Sequence, residues 1–181
     1  MSKALELIAE AKRSNAKKLD LGNCGLTELP DALFELTALE GLSLDSDWYE
    51  YSFEEKGWIK FETRNKGESN NLKKLSQKFN LLRGLKKLFL NSQKELSDLM
   101  PLKDLGNLQQ LDISNTQVSN LIPLKSLGNL KMLDVRSTKV SDLIPLKDLS
   151  NLQVLYIADT QVSDLLPLKD LSNLQDLVVI C

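Results

Sequence analysis

Residues 108–129 read LQQLDISNTQVSNLIPLKSLGN, residues 130–151 LKMLDVRSTKVSDLIPLKDLSN, and residues 152–173 LQVLYIADTQVSDLLPLKDLSN. A related unit, LKKLFLNSQKELSDLMPLKDLGN, precedes them at 85–107, and LQDLVVIC follows at 174–181. The leading leucines are Leu85, Leu108, Leu130, Leu152 and Leu174, spaced by 23 residues once and by 22 thereafter. Self-similarity at this period marks a solenoid in which each unit is one coil. Within a unit, Leu111 and Ile113 alternate with Gln110, Asp112 and Ser114, the two-residue period of a strand. Val118, Leu121, Leu124 and Leu127 complete an apolar set that no single coil can hide, so burial is shared between stacked neighbours. The strands of successive coils are expected to pair in parallel, about 4.8 Å apart.

Other positions recur in register. Pro101, Pro123, Pro145 and Pro167 form a column that suits the first turn of a short helix or 3₁₀ segment, placed on the convex side. Lys103, Lys125, Lys147 and Lys169 stack beside Asp104, Asp148 and Asp170, which reads as a solvated, self-neutralising edge. Asn107, Asn129, Asn151 and Asn173 close each unit where Asn suits local turn hydrogen bonding.

The pattern resembles the leucine-rich-repeat family, most of all its short bacterial class of internalin-like proteins. The motif S-D-L-x-P-L that carries the resemblance stands at Ser141, Asp142, Leu143, Pro145 and Leu146, and again at Ser163 to Leu168. The resemblance spans nearly the whole chain and implies an α/β horseshoe. In such a fold a parallel sheet lines the concave face, short helices or 3₁₀ turns form the convex side, and a helix caps the N-terminus. The family often has Asn or Cys nine residues into the unit. Here that column holds Gln93, Thr116, Thr138 and Thr160, with Cys24 in the first repeat. The threonines are expected to bond carbonyls of the neighbouring coil, and Cys24 to be a buried structural thiol.

The whole of 1–181 reads as one repeat domain. Residues 2–14 form an amphipathic helix, capped by Ser2, that covers the first coil. Residues 16–44 carry the first repeats. The period then breaks, and 46–66 holds six of the ten aromatic residues: Trp48, Tyr49, Tyr51, Phe53, Trp58 and Phe61. Two aromatic runs flank Glu54-Glu55-Lys56-Gly57, a hairpin signal, so a β-hairpin from Trp48 to about Thr63 is expected to project from the ribbon. Regular repeats occupy 70–181. The last, ending Leu177-Val178-Val179-Ile180-Cys181, would leave an apolar strand edge uncovered, which suggests a piece of a longer polypeptide or self-association through that strand.

Net charge is −2, too small a field to argue for nucleic acid or an anionic membrane. The N-terminus has Glu6 and Glu10 within its apolar portion and fails as a signal peptide, and no apolar run approaches a bilayer span, so a cytoplasmic protein is expected. The chain has no histidine, no phosphate-binding glycine motif and only two cysteines, Cys24 and Cys181. These absences argue against an enzyme, a metal centre or a cofactor site.

Binding is better supported. The outward strand positions include Phe89, Asp112, Met132, Asp134, Arg136, Val154, Tyr156 and Val178, more apolar than a free solvent face needs. Tyr156 with Arg136 has the chemistry of an interface anchor. This concave face is the expected partner-binding site, and Trp48, Tyr49, Tyr51 and Trp58 on the hairpin are a second surface. The partner is expected to be another protein or another domain of the same polypeptide. The opening AEAKRSNAKKLDLGNCGLTELPDALFELTALEGLSL also resembles repeat arms of Roco-type multidomain proteins. That resemblance implies a sensor or regulatory arm of a bacterial signalling or defence protein. The alternatives are an exported internalin-like effector or adhesion protein, and the repeat portion of an enzyme whose catalytic domain lies beyond residue 181.

Overall fold

A computed structural model describes residues 2–61, 63 and 65–179. Helix α1 spans Lys3–Ser14, with the Ser2 hydroxyl accepting from the Leu5 N–H and Asn15 ending it in the left-handed region at φ 50°. Its buried face, Ala4, Ile8 and Ala11, closes the apolar end of the first coil. Each coil then contributes one three-residue strand: β1 (Lys18–Asp20), β2 (Gly41–Ser43), β5 (Lys87–Phe89), β6 (Gln110–Asp112), β7 (Met132–Asp134), β8 (Val154–Tyr156) and β9 (Asp176–Val178). These form one parallel sheet in the order β1-β2-β5-β6-β7-β8-β9. The remaining strands, β3 (Trp48–Ser52) and β4 (Gly57–Phe61), form a separate antiparallel pair.

Register explains the leucine period. Leu19, Leu42, Leu88, Leu111, Leu133, Leu155 and Leu177 lie side by side across the sheet. All but the last are buried, whereas Leu177 is 38% exposed at the final strand. Each fully buried leucine contributes roughly 1.5–3 kcal/mol of transfer free energy. The prolines head short 3₁₀ segments at Met100–Leu102, Ile122–Leu124, Ile144–Leu146 and Leu166–Leu168. Asp98, Asn120, Asp142 and Asp164 each accept the N–H two residues on, which fixes the entry to that turn.

Two hydrogen-bond expectations need correction. The threonine column does not bridge coils: Thr116, Thr138 and Thr160 donate to Ile113, Val135 and Ile157 of their own coil, three residues back. Each of these hydroxyls is taken up by a carbonyl of its own turn. Bridges come mostly from longer amides, with Ser126 adding one hydroxyl bond to the Lys103 carbonyl. Asn107, Asn129, Asn151 and Asn173 donate to carbonyls of the preceding coil, at Arg83, Gly106, Gly128 and Ser150. Asn70 donates to the Leu21 and Leu44 carbonyls and accepts from the Leu26 N–H, while Gln93 donates to Leu44 and accepts from Leu72. Cys24 is half-buried rather than buried, and burial, then Asp20, raise its thiol pKa, with Lys3 opposing. The expectations for Ile180 and Cys181 lie outside the described residues. Among the described residues no helix is long and apolar enough to cross a membrane.

Candidate functional site

The hairpin does not project. It lies across the concave face, and two rows of strand residues hold it there. The first row, in register, is Lys18, Gly41, Lys87, Gln110, Met132, Val154 and Asp176. Glu50 of β3 sits between Lys18 and Lys87, accepting from Nζ of each at 2.8 and 2.5 Å. Between those lysines the row has Gly41, where a Cβ would already meet the Lys18 side chain at 3.3 Å. Next in the row, the Gln110 side chain pairs with the Tyr51 backbone, its Oε1 accepting from the Tyr51 N–H and its Nε2 donating to the Tyr51 carbonyl. A side-chain amide thereby stands in for a neighbouring strand. The Tyr51 hydroxyl donates to Asp176 Oδ2 at 2.7 Å, so one tyrosine is held from β6 to β9. Burial and that bond raise the Tyr51 pKa.

The second row is Asp20, Ser43, Phe89, Asp112, Asp134, Tyr156 and Val178. Trp48 meets Phe89 at a tilt with ring centres 6.4 Å apart, and Tyr156 meets Trp58 at 5.8 Å and Tyr51 at 6.5 Å. Trp48, Tyr51, Phe89, Met132 and Val154 thus form a second apolar core, bordered by Phe53, Trp58 and Tyr156 and separate from the leucine core on the other side of the sheet.

This corrects the expectation of an open concave ribbon. Phe89, Met132 and Val154 are excess apolar residues because their own hairpin covers them, and they are not presented to a partner in this structure. Trp48 and Tyr51 are likewise turned in, leaving Tyr49, 37% exposed, and the half-buried Trp58, Tyr156 and Arg136 at the surface. Val178 is half-buried at the last strand. The residues from the two surfaces therefore converge on one composite site. Sequence reasoning missed Glu50, Gln110 and Asp176, the polar groups that dock the hairpin. The available signal was a lone acid in an aromatic strand, facing a sheet row with lysines near one end and an aspartate at the other.

Carboxylates gather where the hairpin leaves the ribbon. Asp134 is fully buried and bound bidentately by the Arg136 guanidinium, which also lies 4.9 Å over the Tyr156 ring. Asp112, its register neighbour, accepts from the Ser114 N–H and hydroxyl and has no bound cation among the described residues. Burial, then Asp134, push its pKa up to about 7. Asp45 is 6% exposed, and its Oδ1, closed to water, has no hydrogen-bond partner among the described residues. Burial, then Asp112, hold it well above the usual carboxylate range, with the Asn91 backbone N–H opposing and Asp134 and Asp20 adding to the rise. Both acids line a cavity of about 410 Å³ together with Tyr49, Trp58 and Arg136. Among the described residues no group of three His, Cys, Asp or Glu side chains is placed to hold a metal ion.

A horseshoe of 22-residue coils with a parallel concave sheet, an N-terminal cap helix and convex 3₁₀ turns defines a leucine-rich-repeat protein. Its repeats resemble those of the internalins. One internalin of Listeria monocytogenes is similar over 97% of this chain and 55% of its own, with a TM-score of 0.68 and 24% identity. Internalin C2 of the same bacterium is similar over 98% of this chain and 93% of its own, with a TM-score of 0.58 and 26% identity. The chain therefore spans about half the length of the first of these. No protein-family model matches the chain, and no curated protein matches it by sequence.

Proposed function

We propose that the chain is a non-catalytic scaffold for protein interaction, the sensor or regulatory repeat arm of a larger bacterial signalling or defence protein, working in the cytoplasm. The likeness to internalins supports the scaffold reading. The observation that carries the choice of surface is the hairpin. It departs from the repeat period, fills the concave centre, and leaves Tyr49, Trp58, Tyr156 and Arg136 beside a cavity at the rim. Aromatic and arginine groups around a well-packed centre have the composition of an interface hot spot. The partner is another protein or another domain of the same polypeptide. The internalin likeness also favours a second reading, an exported effector acting on a host.

The test is affinity capture from the source cells with wild type and with Tyr49→Ala/Trp58→Ala. Arg136→Ala is a poorer probe, because it strands the buried Asp134 carboxylate. The double variant is expected to lose its partner while keeping its circular dichroism spectrum. Equal capture by both proteins would overturn the composite site. Reading the gene beyond codon 181 separates a regulatory arm, followed by a catalytic domain, from a secreted effector.

A further inference from the structure

We propose that the cavity between the hairpin and the ribbon receives an arginine side chain from an extended peptide of the partner. This deepens the interaction-scaffold reading and rests on it.

The first argument is an unfilled pattern. Asp134 and Asp112 occupy the same register position on β7 and β6. Asp134 has a guanidinium, supplied by Arg136 and stacked on an aromatic ring, Tyr156. Among the described residues, Asp112, which lines the cavity, has Ser114 as its one donor, and Asp45 beside it keeps one oxygen without a donor. The aromatic component is already present, because Tyr49 and Trp58 wall the same space. The cavity's one guanidinium among the described residues, Arg136, is spent on Asp134, so the same surroundings stand beside Asp112 and Asp45 without a cation bound to either.

Charge selects the class of ligand. From the ribbon, Asp20, Asp45, Asp112, Asp134 and Arg136 act on the site, and from the hairpin and its approach Asp47, Lys60 and Tyr49 do. Arg136 is bound to Asp134 and reaches Asp112 only through space, and Lys60 is bound to Asp47, so among the described residues neither Asp45 nor Asp112 has an ion-pair partner. An anion would disfavour ionisation of these buried acids, whereas a cation favours it. Lys60 lies 5.3 Å over the Tyr49 ring, so this aromatic wall already accepts a cation. A guanidinium fits better than an ammonium because its planar fork donates to two carboxylates while lying flat on a ring. At about 410 Å³ the cavity falls within the usual range of ligand sites, roughly 300–1,000 Å³, and holds one long side chain with room for the flanking backbone at its mouth.

The experiment is isothermal titration of the full chain with acetyl-Gly-Arg-Gly-amide, with the same peptide carrying neutral citrulline, and with free arginine amide. The arginine peptide is expected to bind at least about tenfold more tightly than the citrulline peptide, a charge-assisted pair being worth that much. Asp45→Asn is expected to weaken the arginine peptide by a similar factor without unfolding the protein, since it keeps the shape of the side chain and puts no new charge in the core. Asp112→Asn is a second, independent removal. Binding near pH 7 is expected to release protons, measured as a difference in apparent heat between two buffers, because the incoming cation favours the ionised acids. Equal affinity for the two peptides, no binding up to about 10 mM, where the free energy gained falls below roughly 3 kcal/mol, or no effect of Asp45→Asn would overturn the proposal. Free arginine amide binding as tightly as the peptide would make the occupant a small molecule and overturn the assignment to a partner. If partner capture needs Tyr49 and Trp58 but is indifferent to Asp45, the pocket proposal falls and the scaffold reading stands.

Discussion

Tyr51→Ala is the sharpest test of how the hairpin is held. A two-stranded hairpin alone is marginal in water, so its order comes from docking. Tyr51 is 3% exposed, packs in the cluster with Met132 and Val154, and donates to Asp176. Truncating a buried aromatic typically costs about 3–5 kcal/mol. The backbone pairing with Gln110 survives the change, which places the loss near the lower end. At about 1.4 kcal/mol per decade, hairpin opening becomes roughly two to three orders of magnitude more frequent. Hydrogen exchange reads this directly. Amides of residues 48–52 and 57–61 are expected to speed up by that factor. The amides of Ile113 and Val135, bonded across the ribbon to Asp134 and Tyr156, are expected to keep their protection. Tyr51→Phe, which loses only the hydroxyl bond, is expected to give about a tenfold increase. Unchanged hairpin exchange in Tyr51→Ala would refute the docking account. So would equal acceleration at Ile113 and Val135, which would make hairpin and ribbon one cooperative unit.

Four further outcomes are expected. Asp112 has a folded pKa of about 7, above its unfolded value near 3.9, so the folded state holds the extra proton between them. Stability should therefore fall as pH rises from about 4 to 7, by up to roughly 1.4 kcal/mol per unit from this group, and then level off. Urea midpoints across that range should show a shallower decline in Asp112→Asn. Gly22→Ala places a Cβ 1.8 Å from the Asp45 carbonyl, so the first two coils must part. A cost of about 2–3 kcal/mol lowers the melting temperature by roughly 4–12 °C. Glu50→Gln leaves Lys18 and Lys87 without a counter-charge, but both are partly solvated, so about 1–3 kcal/mol is expected by urea denaturation. Leu133→Ala should cost about 2–5 kcal/mol, while Leu177→Ala, at a position 38% exposed, should cost less than half as much by the same measurement.

Which features could be read beforehand follows from the range of the interactions that make them. The coil is written in the chain because each unit repeats the same local tasks. Leu111 and Ile113 alternate, Pro123 sits in the 3₁₀ turn, and Asn120 accepts the Ile122 N–H at its entry, all within one period. The hairpin was equally local, since its turn and aromatic runs are contiguous. Its destination was not, because that depends on residues 59 and 125 positions away: Gln110 holding the Tyr51 backbone, and Asp176 its hydroxyl. The same separation hid the site. Phe89, Met132 and Val154 were recognisable as too apolar for solvent, but their sequence does not say whether a partner or the chain itself covers them.

Periodicity alone therefore determined the solenoid, its parallel sheet and its inner leucine row, because stacking identical coils is the one arrangement that buries a side chain recurring every 22 residues. Tertiary structure alone decided that the concave face is filled from within. That outcome turns on a single acid meeting two lysines, a glutamine copying a strand, and a tyrosine reaching the last coil. Those contacts exist only once the distant coils have curved around the insertion.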